Sequence, residues 1–115
     1  MRKDYLLFLE TIQQECLDIE AIKSKGLTFE DLNSNMEKKK ALLLSLLNIG
    51  EYTNKIPIDV KLKWSEVDWI KMVGIRNRIA HDYLGVDLAI VWKIIQYDIP
   101  AILPALKEII AQEQF

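Results

Sequence analysis

The chain has one cysteine, Cys16, and one histidine, His81, among its 115 residues. A single Cys and a single His cannot build a Cys/His zinc site, a disulfide framework or a thioredoxin-type pair. Of the cysteine chemistries, a Cys–His catalytic pair alone stays formally open. Excess positive charge is also lacking: 15 Lys+Arg face 17 Asp+Glu, a formal charge of −2. That argues against a protein that coats nucleic acid through bulk charge. No export segment is legible, because Asp4 and Glu10 closely bracket the apolar residues after Met1-Arg2-Lys3. The longest apolar stretch, Ala41 to Leu47, is broken by Ser45 and falls far short of the roughly 20 residues of a spanning helix. The expected setting is cytoplasmic, with no membrane partner.

Strands are not expected either, since no useful run of period-2 alternation occurs. Helical spacing runs nearly throughout. Tyr5, Leu9, Ile12, Cys16 and Ile19 draw one apolar stripe, which Gly26 ends. Thr28-Phe29-Glu30-Asp31 reads as the capped start of a short turn. A second long helix is expected from about Asn35 to Lys55, closed by Ile56-Pro57. Ser65-Glu66-Val67-Asp68 reads as a capping box opening a third, which runs toward His81. Leu84-Gly85-Val86 forms a turn with Asp87 as the next N-cap. Leu88, Trp92, Ile95, Ile99, Ile102, Leu106 and Ile109 then keep one phase past Pro100 and Pro104, so a kinked or restarted helix on one line is expected. The sum is an all-α bundle of about four long helices plus short helical turns, with residues 1–115 as a single domain.

Gly50 and Gly74 fall inside helical patterns, each at a cost of about 1 kcal/mol relative to alanine. Close helix packing explains such residues, and close approach at a subunit interface or a site is the sharper alternative. Cys16 lies on the apolar stripe and reads as inert core. Trp92 also reads as core, while Trp64 is more open to a surface role.

Chemistry concentrates in Trp69 to Tyr83. On a helical wheel Arg76 sits inside an arc made by Trp69, Met72, Val73, Ile75, Ile79, Ala80 and Tyr83, so it must snorkel, pair or face a cleft. Asn77, Arg78 and His81 lie on the other side. Arg76 and His81 are separated by about 140° and converge only if the helix frays or two copies meet across a two-fold axis. A histidine exchanges a proton near neutrality, and an arginine fork matches phosphate oxygens as charge builds on them. That pair suits RNA cleavage in which the neighbouring 2′-OH is the nucleophile, which needs neither metal nor cofactor. The plain reading is a helix-terminal histidine beside a solvated Arg–Asp pair.

Arg76-Asn77-Arg78-Ile79-Ala80-His81-Asp82-Tyr83 resembles the Arg-x4-His-x-Tyr motif of the HEPN superfamily, specifically its HepT-like toxins. Ile49-Gly50-Glu51, Trp69, Ile70, Leu84-Gly85-Val86-Asp87 and Val91-Trp92 extend the resemblance. It implies a HEPN-type bundle forming a homodimer, with both motifs lining one cleft. It further implies a metal-independent endoribonuclease that acts as the toxin of a toxin–antitoxin pair. Arg76 and His81 would then be catalytic, with Asn77 and Arg78 supporting. Tyr83 matches the tyrosine that the partner, a minimal nucleotidyltransferase antitoxin, modifies with AMP, and a higher hetero-oligomer with that antitoxin is implied. HEPN domains also serve as non-catalytic helical companions of nucleotidyltransferases, which is the alternative function. Glu51 carries no derived role. The run Lys38-Lys39-Lys40 reads as a solvated face, or as an RNA guide if it borders the cleft. It belongs to a basic block: residues 36–81 hold 9 basic and 5 acidic side chains, against 4 and 7 before and 2 and 5 after.

Overall fold

The apolar stripe of the first helix sets the core. The structure is a computed structural model that describes residues 3–114; Met1 and Arg2, where the export-signal reading begins, and Phe115 lie outside it. Helix α1 (Asp4–Lys23) buries Leu9, Ile12, Cys16 and Ile19 completely. Burial, ahead of the charges of Glu15 and Glu20, pushes the Cys16 thiol up to about 12, which leaves it inert. The chain turns at Gly26, whose φ of +85° suits a residue without a Cβ. The expected cap then forms on both sides at α2 (Phe29–Ser34): Asp31 N–H donates to Thr28 Oγ1 and Thr28 N–H donates to Asp31 Oδ2. Asn35 caps α3 (Met36–Asn54), the central helix, which packs against α1, α2 and α5.

Two differences from the sequence reading lie between residues 56 and 69. A short helix, α4 (Ile58–Lys63), was not expected. It holds only one buried side chain, Val60, while Ile58 and Leu62 are 70% and 71% exposed, so its apolar pattern faces outward. The cap of α5 (Trp69–Asp82) is Asp68, which accepts from Lys71 N–H at 2.9 Å, and not Ser65. Residues 64–67 instead close a turn in which Val67 N–H donates to the Trp64 carbonyl and the Val67 side chain is buried. The expected box is displaced because that tertiary anchor overrides the local pattern.

After a 3-10 turn (Tyr83–Gly85), Asp87 caps α6 (Leu88–Lys93), which continues through a π-helical turn (Ile94–Asp98) into α7 (Ile99–Glu113). The single phase across the prolines thus becomes one continuous line. The π turn has an identifiable cause. Ile99 N–H donates to Ile94, and Pro100 has no N–H for the carbonyl of Ile95. Lys23 Nζ fills that gap at 2.7 Å. No strand occurs among the described residues. By length and composition, Leu88–Glu113 is apolar enough to cross a bilayer, although no single uninterrupted run in it is. Ile95, Ile99, Leu106 and Ile109 in this segment are core residues, and α7 packs on α1.

Glu113, at the end of α7, ties together the start of α1 and the residues that close α4. It is 3% exposed and accepts from Tyr5 Oη at 2.5 Å and from Trp64 Nε1 at 2.9 Å; Lys63 Nζ lies at 2.8 Å. Trp64 is therefore a structural anchor, a correction to the surface role expected for it. The bond with Lys63, then that from Tyr5, holds the Glu113 carboxyl down at about 2. Its folded value lies below the ordinary 4.5, so its contribution is complete above 4.5 and is lost as pH falls toward 2. Glu113→Gln should cost about 1.5–3 kcal/mol at pH 7 by urea denaturation. The gap from wild type should shrink at pH 3, and a pH-independent gap would refute this account.

Candidate active site

Helix α5 is amphipathic in the expected sense only along part of the wheel. Trp69, Met72, Ile75 and Ile79 are buried, and α5 packs most extensively on α3. The Trp69 indole donates to the carbonyls of Lys61 and Trp64, fixing the start of the helix. Ala80 and Tyr83, assigned to the same arc, are exposed. Tyr83 has left the helix altogether: its φ of +40° ends α5, so its wheel position next to Arg76 does not hold. A non-glycine residue there carries backbone strain of about 1–2 kcal/mol.

Arg76 lies where α3 and α5 come closest. A Cβ on Gly50 would collide with the Arg76 Cβ and sit 3.0 Å from its Cα, so α5 reaches this position only because Gly50 has no side chain. The guanidinium emerges half-exposed and pairs: Nε meets Glu51 Oε1, and Nη1 donates to Asn77 Oδ1 at 2.8 Å. Of the five N–H donors of a guanidinium, these two partners leave others unused. Glu51, which carried no role in the sequence, is the residue that aims the fork. The signal for it was its adjacency to a glycine buried in a helix.

His81 occupies the last turn of α5 with its side chain 85% exposed and Asp82 Oδ1 4.0 Å from Nε2. The solvated Arg–Asp pair of the plain reading does not form: among the described residues Arg78 has no carboxylate partner, and Asp82 stands beside His81 instead. The helix is regular from Arg76 through Asp82, so no fraying brings Arg76 and His81 together. Asn77 is joined to Arg76, while Arg78 and His81, three residues apart on α5, are both exposed.

Lys39 was the second residue missed. It is 9% exposed and its Nζ donates to the Leu84 carbonyl at 2.7 Å, tying α3 to the turn that follows His81. With Val86 N–H donating to the Tyr83 carbonyl, this bond holds Tyr83 in its strained conformation. The lysine run is thus not one face: Lys39 points inward, Lys38 lies 3.6 Å from Asp31, and Lys40 is exposed. Trp92 meets the edge of Phe29, with ring centroids 5.8 Å apart, and is half-buried. Among the described residues, no three His, Cys, Asp or Glu side chains gather as a metal site would require.

Comparison with known proteins adds a family to this geometry. The model of the HepT-like ribonucleases matches residues 9–109, which includes α5 and its helical surroundings. A protein of Caldanaerobacter subterraneus subsp. tengcongensis, provisionally named as an RNase, is 35% identical over 107 residues, 93% of this chain and 95% of its own. The probable ribonuclease HepT of Thermococcus cleftensis is 31% identical over 102 residues, 89% and 92% of the two chains. A provisionally named RNase of Methanocaldococcus jannaschii is 32% identical, covering 95% of this chain and 89% of its own. No solved structure gives a significant match.

The two helical glycines should respond in opposite directions to alanine. Gly50→Ala forces α5 away from α3 and should cost about 1–3 kcal/mol. Around Gly74 there is nothing within 4 Å of a built Cβ, so close packing within the chain does not explain it, and Gly74→Ala should add about 0.4–1 kcal/mol. Urea midpoints of the two variants measure this, and a stable Gly50→Ala protein would contradict the close approach.

Proposed function

The chain belongs to the HepT-like ribonuclease family, and on that premise we propose that it is a metal-independent endoribonuclease, the toxin of a toxin–antitoxin pair. It works in the cytoplasm as a homodimer with Arg76 and His81 as the catalytic pair. The observation that carries this reading is the presentation of α5. His81 is almost fully exposed, and Arg76 is held at the surface by Glu51 and Asn77 with donors to spare.

In the reaction, an imidazole accepts the proton of a ribose 2′-OH as the O2′–P bond forms. An imidazolium returns a proton to the 5′-oxygen as the P–O5′ bond breaks, leaving a 2′,3′-cyclic phosphate and a 5′-hydroxyl. Arg76 stabilises the negative charge that builds on the phosphoryl oxygens, and the phosphate competes with Glu51 for the fork. Asn77 fixes the guanidinium, and Arg78 adds charge at the rim.

One copy keeps Arg76 and His81 about 140° apart on a regular helix, which supports a site assembled from two copies. The apolar side chains left exposed beside Asn77, Ile58 and the 87% exposed Ile70, support a surface that a second copy covers. Tyr83 is the position that a minimal nucleotidyltransferase antitoxin modifies. An AMP there adds a negative charge just beyond His81, in the zone where an incoming RNA phosphate must approach.

Arg76→Ala and His81→Ala should each lower RNA cleavage by about 10²–10⁴-fold without changing the helical CD spectrum, and chelator should leave the wild type unaffected. Mixing the two inactive proteins should restore partial cleavage, because a mixed dimer holds one intact composite site. Full activity of His81→Ala sinks the catalytic assignment, and no recovery on mixing sinks the shared site. Protein that binds nucleotide and never cuts RNA would select the accessory-subunit function instead.

Incubation with the nucleotidyltransferase and ATP should add the mass of AMP to the peptide containing Tyr83 and abolish cleavage. Silencing without that mass shift would assign neutralisation to occlusion alone.

A further inference from the structure

Beside the motif, on the flank of α5 that faces α6, lies a groove of about 380 Å³ that the reaction above touches only at Arg78. Such a volume is within the range of small-ligand sites, about 300–1,000 Å³. Ile75, Ile90 and Ile94 supply apolar lining, and Gly74 leaves one side without a side chain. Its charges are not balanced. Asp98, the single carboxylate in the lining, is taken by Lys71 at 3.0 Å. Arg78 on α5 and Lys93 on α6 line the groove from opposite sides, and neither makes an ion pair or a side-chain hydrogen bond among the described residues. Two unpaired cations around an apolar lining suit a ligand with an anionic edge and a flat, weakly polar body.

Position narrows the ligand further. Arg78 is three residues before His81, one helical turn or about 5 Å along the same axis. A phosphate held at Arg78 therefore stands one step along a strand from a phosphate handled at His81. Gly74 belongs to the same stretch. Its open surroundings give the chain no internal reason to accept a helical glycine, and a close-lying ligand backbone is such a reason.

We propose that the α5–α6 groove is a subsite for a nucleotide of single-stranded RNA flanking the scissile one, its phosphate between Arg78 and Lys93 and its base on Ile75, Ile90 and Ile94. This rests on the ribonuclease reading and extends it from the bond that is cut to how the strand is held. Bases pack on apolar as well as aromatic side chains, and an exposed lysine binds phosphate as a point charge. The groove thus explains how a chain of net charge −2 grips RNA: with a few placed cations, without a general positive surface.

The test uses the full chain and Lys93→Gln, with Lys93→Arg as the conservative variant and Lys107→Gln as a charge control on the exposed side of α7. Cleavage kinetics and anisotropy of a labelled, uncleavable 2′-O-methyl single-stranded RNA are measured over a range of salt. Lys93→Gln should raise KM and weaken RNA binding about three- to tenfold at unchanged kcat. It should also make the slope of log binding constant against log salt shallower by about 0.7, the loss of one phosphate contact on a single strand. Lys93→Arg should retain wild-type values, and Lys107→Gln should stay close to them.

If the wild type cuts RNA and Lys93→Gln matches it in KM and salt slope, the subsite is overturned while the ribonuclease reading stands. An equal effect from Lys107→Gln overturns it as well, by assigning the effect to net charge. A drop in kcat at unchanged KM would place Lys93 in the chemistry and likewise overturn a subsite. A wild type that neither binds nor cuts RNA removes both readings together.

Discussion

Everything distinctive about this bundle depends on the approach of α5 to α3 at Gly50. The two helices touch so closely there that the Cβ of Arg76 occupies the space where any other residue at position 50 would put its own. That contact places a guanidinium at the edge of the most extensive helix packing in the molecule, where its stem is partly covered and its head is not. Glu51, next in the chain after Gly50, is then in reach of Nε, and Asn77 of Nη1. One missing side chain thus fixes both the position and the aim of the arginine.

The other end of the motif is held by a different device. His81 stands in the last turn of α5, and the chain after it bends through the strained Tyr83, tied back to α3 by a buried lysine. Arg76 is referred to α3 by Gly50 and Glu51, and the turn that holds Tyr83 by Lys39. A rigid central helix under the exposed arginine and histidine suits the proposed acid–base and phosphate chemistry, since both depend on placement within a fraction of an ångström. The start of α1 and the end of α7 are fastened independently through Glu113, whose partners come from α1, α4 and the turn before α5.

Helix content was legible where apolar spacing ran through many turns. The stripes of α1, α3 and the line from Leu88 to Glu113 face the core, fully buried at most positions and half-buried at Tyr5, Leu47, Leu88, Trp92 and Ile102, and Thr28 and Asp87 cap as expected. Legibility failed where tertiary contact overrode a local pattern. Buried Val67 and the anchored Trp64 shifted the start of α5 from Ser65 to Asp68. Helix α4 was too short to show a period and turned its apolar side chains outward. Of the site, residue types and helix were readable; the inward turn of Lys39 and the pairing of Glu51 were not.

The sequence by itself determined that the chain is helical, that its one histidine and a neighbouring arginine share one segment, and to which family it belongs. These properties reside in residue identity and short spacing, which survive without knowledge of neighbours. Tertiary structure alone decided which charges are spent and which are free. Lys39, Lys71 and Glu113 are committed to partners 45, 27 and at most 110 residues away, while Arg78, Lys93 and His81 are left facing solvent. A charge is neutralised by what lies within a few ångströms of it, and between distant segments only the packing of helices sets that distance.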